Sequence, residues 1–180
     1  PLGITLREVI DIYGQGMKKG GKLKLAQTGG SSGSIIPASL QDTPMDFESW
    51  RKASVSLGSG ALLICDEHTC VVDFAKVLLN FFHFECCAKC VPCRTGTHRL
   101  YEIMSDISIG KGTFESLAEL QSLGLDMEIL SNCGLGQTAS VAVRDILKHF
   151  RAEVEEHIRD GFCRAGVCKI VHPALVEQPE

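Results

Sequence analysis

Glu85-Cys86-Cys87-Ala88-Lys89-Cys90-Val91-Pro92-Cys93-Arg94-Thr95-Gly96 sets three thiols at C-x2-C-x2-C spacing directly behind an apolar helical pattern. Further on, Ser131-Asn132-Cys133-Gly134-Leu135-Gly136 offers a fourth thiol at a later helix junction. Three sulfurs on one tight loop reach three irons of a cube, and a remote fourth closes the cage and ties two helical segments together. Structural zinc usually takes two separated C-x2-C knuckles instead. Cys87, Cys90, Cys93 and Cys133 therefore predict a [4Fe–4S] cluster. The alternative from another class is zinc on the same four thiols, stapling an interaction scaffold without redox activity. Cys86 adjoins the ligands, but C-x3-C-x2-C departs from the regular spacing, so Cys86 is read as their neighbour. Lys89 and Arg94 are either tuning charges that raise the cluster's potential or solvated charges.

Working outward, Val71, Val72, Phe74, Ala75, Val77, Leu78, Leu79, Phe81 and Phe82 recur at helical spacing up to Glu85, so the first thiols sit at a helix end. Downstream, helices are predicted over 94–107, 114–123, 126–130 and, as one long amphipathic stretch, 137–159. Upstream, Thr5 and Glu8 form a capping-box pattern before Leu6, Val9, Ile10 and Tyr13. Lys22-Leu-Lys-Leu-Ala26, Ile35-Ile36 and Ala61-Leu-Leu-Ile-Cys65 read as strands, the first two separated by the flexible turn Gly29-Gly-Ser-Ser-Gly-Ser34. That turn carries no G-x4-G-K-[ST] pattern and is not read as a phosphate loop, although a supporting contact to a neighbouring flavin domain stays open for it. The fold class is α+β: a small α+β domain over 1–66, an all-α helical-bundle iron–sulfur domain over 67–160, and a tail over 161–180.

Composition narrows the partners. Across 180 residues, 44% are hydrophobic and 22% charged, which suits a packed core and excludes wholesale disorder. With a net charge of −4 and no basic stripe, nucleic acid is excluded as a partner. No apolar run approaches the roughly 18 to 20 residues that span a bilayer, so direct membrane insertion is not expected, and with no signal peptide the chain reads as cytoplasmic. Because it starts at Pro1 without Met, it is expected to be a piece of a longer protein.

Nine cysteines, most of them in tight groups, suit metal binding in a cytoplasmic chain better than a disulfide framework. The second group is His157, Cys163, Cys168 and His172, two imidazoles and two thiols that can complete a tetrahedral zinc site. Free structural cysteines and a disulfide remain open there, as does a ligand from beyond Glu180. Cys65 ends an apolar strand and Cys70 opens an apolar helix, so both are read as small buried hydrophobes.

Glu85–Gly96, Cys133–Ala139 and Lys148–Glu155 resemble the C-terminal half of the flavin and NADH-binding subunit of respiratory NADH dehydrogenases and of NAD(P)-linked iron-only hydrogenases, including electron-bifurcating ones. Thr5–Val9 and Lys24–Gly33 are similar to the soluble-ligand-binding β-grasp domain that precedes the cluster domain there. The resemblance implies cluster ligation by Cys87, Cys90, Cys93 and Cys133, in agreement with the spacing. The family pattern usually has Ser where this chain has Cys86 and Gly where it has Ala88. The family's flavin and nicotinamide domain would stand before Pro1, so FMN and NAD(P) are expected in that domain and not in this chain. Cys163-Arg-Ala-Gly-Val-Cys168 looks like a segment that hydrogenase members carry before a two-cluster ferredoxin domain. The implied function is one-electron relay from a flavin to the next iron–sulfur centre of a multi-subunit hydrogenase, with a flavin domain and ferredoxin-like and 2Fe–2S subunits as partners. The same position in a respiratory NADH:quinone oxidoreductase or an NAD-linked formate dehydrogenase is the alternative.

Overall fold

A computed structural model describes residues 2–170. They fall into two compact units that divide between Thr69 and Cys70. The first opens on the expected capping box: the Thr5 hydroxyl accepts the Glu8 N–H at 3.1 Å, and the Glu8 carboxylate accepts the Thr5 N–H at 2.8 Å. Helix α1 (Leu6–Glu8) then widens into a π-helical segment, Val9–Tyr13, closed by Gly14 N–H donating to Val9 O at 2.9 Å.

Three antiparallel strands, β1 (Leu23–Thr28), β2 (Ile35–Pro37) and β3 (Leu62–Asp66), lie in the order β2-β1-β3. Ala26 pairs with Ile36 on one side and Ile64 on the other. Helix α2 (Phe47–Lys52), capped by Asp46 accepting the Ser49 N–H at 2.7 Å, brings Trp50 into a core with Leu6, Ile10, Ala26, Ile36 and Val55. The segment between β1 and β2 doubles back so tightly that a Cβ on Gly33 would lie 1.3 Å from the Thr28 carbonyl oxygen.

The second unit is helical throughout its regular structure among the described residues. Helix α3 (Val71–Glu85) packs on α4 (Val91–Ser108), and α5 (Phe114–Leu130), α6 (Gly134–Thr138), α7 (Val141–His149) and α8 (Arg151–Arg159) complete the bundle. Its core takes Val72, Ala75 and Leu79 from α3, Leu100, Ile103, Met104 and Ile107 from α4, Leu117, Leu120 and Met127 from α5, and Val143 and Ile146 from α7. Together the two units give the α+β class. None of the described helices is long and apolar enough to cross a membrane.

Three details differ from the sequence reading. Residues 114–130 are one helix, because Gly124 is buried where Ser140 Oγ donates to its carbonyl at 3.1 Å; the glycine admits a neighbour and breaks nothing. Residues 137–159 are not one helix: the turn at Ala139–Ser140 and Phe150, at φ −131° and ψ 23°, interrupt the apolar periodicity. Helix α4 begins at Val91 with Pro92 in its first turn, so Cys93 sits inside the helix and only residues 86–90 form the loop.

Gly33→Ala forces its methyl into the Thr28 carbonyl, a cost of about 3 kcal/mol or more. Trp50 is the chain's sole tryptophan and lies in the core of this unit. The variant is expected to lower the denaturant midpoint read by tryptophan fluorescence; an unchanged midpoint contradicts the packing described.

Candidate metal centres

Helix ends deliver the first group of thiols. Cys86 is the C-cap of α3, Cys90 the N-cap of α4 and Cys133 the N-cap of α6, with Cys93 one turn into α4. The Cys90 thiol is held below its ordinary pKa because the backbone N–H groups of Asn132 and Cys93 point at its sulfur. Asn132 adjoins Cys133, so this bond joins the late thiol's turn to the early loop. Cys93 is buried, and burial pushes its thiol up to about 12; a hydrogen bond with Cys86 and the charges of Cys86, Cys90 and Cys133 act in the same direction. The sulfurs at 86, 90, 93 and 133 thus feel one another's charge. Cys87 is exposed, and its thiol makes no hydrogen bond among the described residues.

The surroundings fit an iron–sulfur cluster. Gly136 presses so close that an added Cβ would lie 2.9 Å from Cys93 Cβ and 2.5 Å from Ser131 Oγ. That serine hydroxyl is buried and without a hydrogen-bond partner among the described residues, so a donor stands free beside the thiols. Arg94 Nη1 donates to the Ala88 carbonyl at 3.3 Å, which makes it a brace of the cysteine loop and not a freely solvated charge. Lys89 is exposed. Ala88 holds φ at 60°, in the left-handed region that favours glycine.

A second group stands at the opposite end of α3, one helix length of about 22 Å away. Cys70 is the N-cap of α3, and its Sγ lies 3.3 Å from His157 Nε2 and 3.6 Å from Cys168 Sγ. With Cys163, the four ligand atoms lie within 4.8 Å of one another. A zinc tetrahedron with Zn–S bonds of about 2.3 Å has edges of about 3.8 Å, so this set needs little movement to close on an ion. His157 is fully buried, and its Nδ1 faces the Glu153 carbonyl at 2.7 Å. A carbonyl only accepts, so Nδ1 carries a proton and Nε2, which faces the sulfurs, is the nitrogen placed to bind a metal, the outer-sphere arrangement of a metal-bound imidazole. Glu153 also accepts the Val71 N–H at 3.2 Å, tying α8 to the start of α3.

The four groups of this cluster shift one another's titration. Cys70 is lowered to about 4, chiefly by the Cys168 hydrogen bond and then by His157, against burial. Cys168 is driven upward by its bond to Cys70 and by burial. Burial opposes ionisation of both Cys163 and His157; the Cys168 N–H and His157 bonds nonetheless lower Cys163, and the Cys70 and Glu153 bonds raise His157 to about 9.

Cys70 is therefore corrected from a small buried hydrophobe to a member of a three-thiol, one-imidazole group. His172, expected as a ligand, lies outside the described residues. Cys65 is half-buried on β3, where burial raises its thiol.

Thiols gathered at helix ends on a helical frame are a donor set that an iron–sulfur cluster takes. Residues 73–157 match the family described as the NADH-ubiquinone oxidoreductase-F iron-sulfur binding region. This segment is similar to that family's iron–sulfur region, and the match supports a [4Fe–4S] cluster as its cofactor. The matched residues include Cys87, Cys90, Cys93 and Cys133 and stop short of Cys163 and Cys168. Among similar proteins, the NADP-reducing hydrogenase subunit HndC of Solidesulfovibrio fructosivorans is 42% identical over 93% of this chain and 34% of its own length. An NADH-quinone oxidoreductase subunit of Streptomyces coelicolor is 40% identical over 91% of this chain and 36% of its own. A solved NAD+-reducing [NiFe]-hydrogenase in the H2-reduced state superposes with a TM-score of 0.76 at 28% identity, over 88% of this chain and 26% of that one. The chain thus spans about a third of the length of the curated relatives it matches.

Ala88→Gly is expected to stabilise the cysteine loop by about 1 kcal/mol, the cost of a left-handed alanine, with iron content unchanged. A lower melting temperature contradicts the strain assigned to this position.

Proposed function

We propose that Cys87, Cys90, Cys93 and Cys133 hold a [4Fe–4S] cluster that relays single electrons between a flavin and the next iron–sulfur centre of an NAD(P)H-linked multi-subunit oxidoreductase. The observation that carries this is the convergence of thiols from the α4 and α6 N-termini, inside the matched residues 73–157. The bound cluster supplies one-electron redox chemistry. The chain's own residues supply the cage: the Asn132 N–H orients Cys90, Gly136 leaves room at Cys93, and Arg94 fixes the loop through Ala88. The flavin domain, the ferredoxin-like and 2Fe–2S subunits and a cytoplasmic setting belong to the same proposal.

We propose as well that Cys70, His157, Cys163 and Cys168 bind one structural zinc ion. Their spacing, their burial and the Nδ1 bond of His157 support it. With that site in the tail, hydrogenase is favoured over the respiratory enzyme, and the similarity to HndC points the same way.

Anaerobically purified chain is expected to carry about four iron and to bleach with dithionite. Cys87→Ala, Cys90→Ala and Cys133→Ala are each expected to lose most of that iron; full iron in all three contradicts the cluster assignment. Cys70→Ser and Cys168→Ser are expected to lose zinc while keeping iron. Equal zinc in wild type and variants contradicts the second site.

A further inference from the structure

Cys86 occupies a position unlike the other thiols of the loop. Its Sγ lies 3.3 Å from Cys93 Sγ. Ligands of one cubane each bind a different iron and are held apart by the cluster itself, so two sulfurs in hydrogen-bond contact do not both serve as ligands. Cys93 is the buried member of the pair, seated against Gly136, whereas Cys86 is only half-buried at the end of α3. Position 86 is therefore beside the cluster and touches it through Cys93.

The direction of this contact follows from the groups around it. The Ala88 N–H donates to Cys86 Sγ at 3.4 Å, so that sulfur already accepts a hydrogen bond. A thiol has one hydrogen to give. When Cys93 is bound to iron it is a thiolate and can only accept, which leaves the Cys86 S–H as donor and Cys93 Sγ as acceptor. The Arg94 bond to the Ala88 carbonyl braces the loop beside this contact.

We propose that Cys86 is a positioning residue that sets the cluster's reduction potential by donating its S–H to the thiolate of Cys93. This rests on the cluster assignment above. Reduction adds negative charge to the cluster and its sulfurs, so a donor on a ligand sulfur stabilises the reduced state more than the oxidised one and raises the potential. A hydrogen bond of ordinary net strength changes the one-electron equilibrium about fivefold, or about 40 mV at 59 mV per decade.

The test is a dithionite titration of the anaerobic full chain, followed by the electron paramagnetic resonance signal of the reduced cluster, with iron measured on the same samples. Cys86→Ala, which lacks a donor, is expected to keep its iron and to shift the midpoint downward by about 40 mV. Cys86→Ser, which restores a hydroxyl donor, is expected to recover most of the shift. A Cys86→Ala midpoint equal to wild type at full iron overturns this inference and leaves the cluster assignment intact. Loss of iron in Cys86→Ala, with iron retained in Cys87→Ala, makes Cys86 a ligand and overturns it as well. A wild-type chain without iron and without the signal overturns the cluster assignment itself.

Discussion

Sulfur atoms crowd together only where positive charge repays the crowding. At both ends of α3 this chain gathers thiols more closely than their ionised forms tolerate alone, and the structure records the conflict. Cys93 is driven up to about 12 by burial and its sulfur neighbours at one end, while Cys70 falls to about 4 as Cys168 rises at the other. The helical unit is best understood as a frame that holds these two sets of thiols at the ends of one 15-residue rod.

The frame uses helix termini for this because a terminus has N–H groups free to point at a sulfur. Cys70, Cys90 and Cys133 all occupy capping positions at helix starts, with extended backbone that projects the side chain past the first turn. Where a side chain with two possible roles stands nearby, its outer partner decides between them. The Glu153 carbonyl places a proton of His157 on Nδ1, and the Ala88 N–H makes Cys86 an acceptor from the loop while its Sγ lies against Cys93.

Much of this was legible in the residues. The C-x2-C-x2-C run, the late Cys133 and the apolar period of α3 were enough to place a cluster behind a helix, because short spacings translate directly into local geometry. Cys70 was not legible. It lies 87 residues from His157 and in C-x4-C register with Cys65, so its nearest thiol in sequence is not one of its partners in space. In the sequence, His172 already completed the four donors with His157, Cys163 and Cys168, so nothing called for Cys70. The interruptions at Ser140 and Phe150 also escaped the sequence reading, since the apolar face of 137–159 continues across them while the backbone does not.

Two distinct metals in one helical unit is the claim on which the account stands, and X-ray absorption of one anaerobic preparation tests it at both edges. The iron edge is expected to show sulfur neighbours with short iron–iron scattering. The zinc edge is expected to show three sulfurs at about 2.3 Å and one nitrogen at about 2.0–2.1 Å. Iron without iron–iron scattering, or zinc bound by four sulfurs alone, would contradict it.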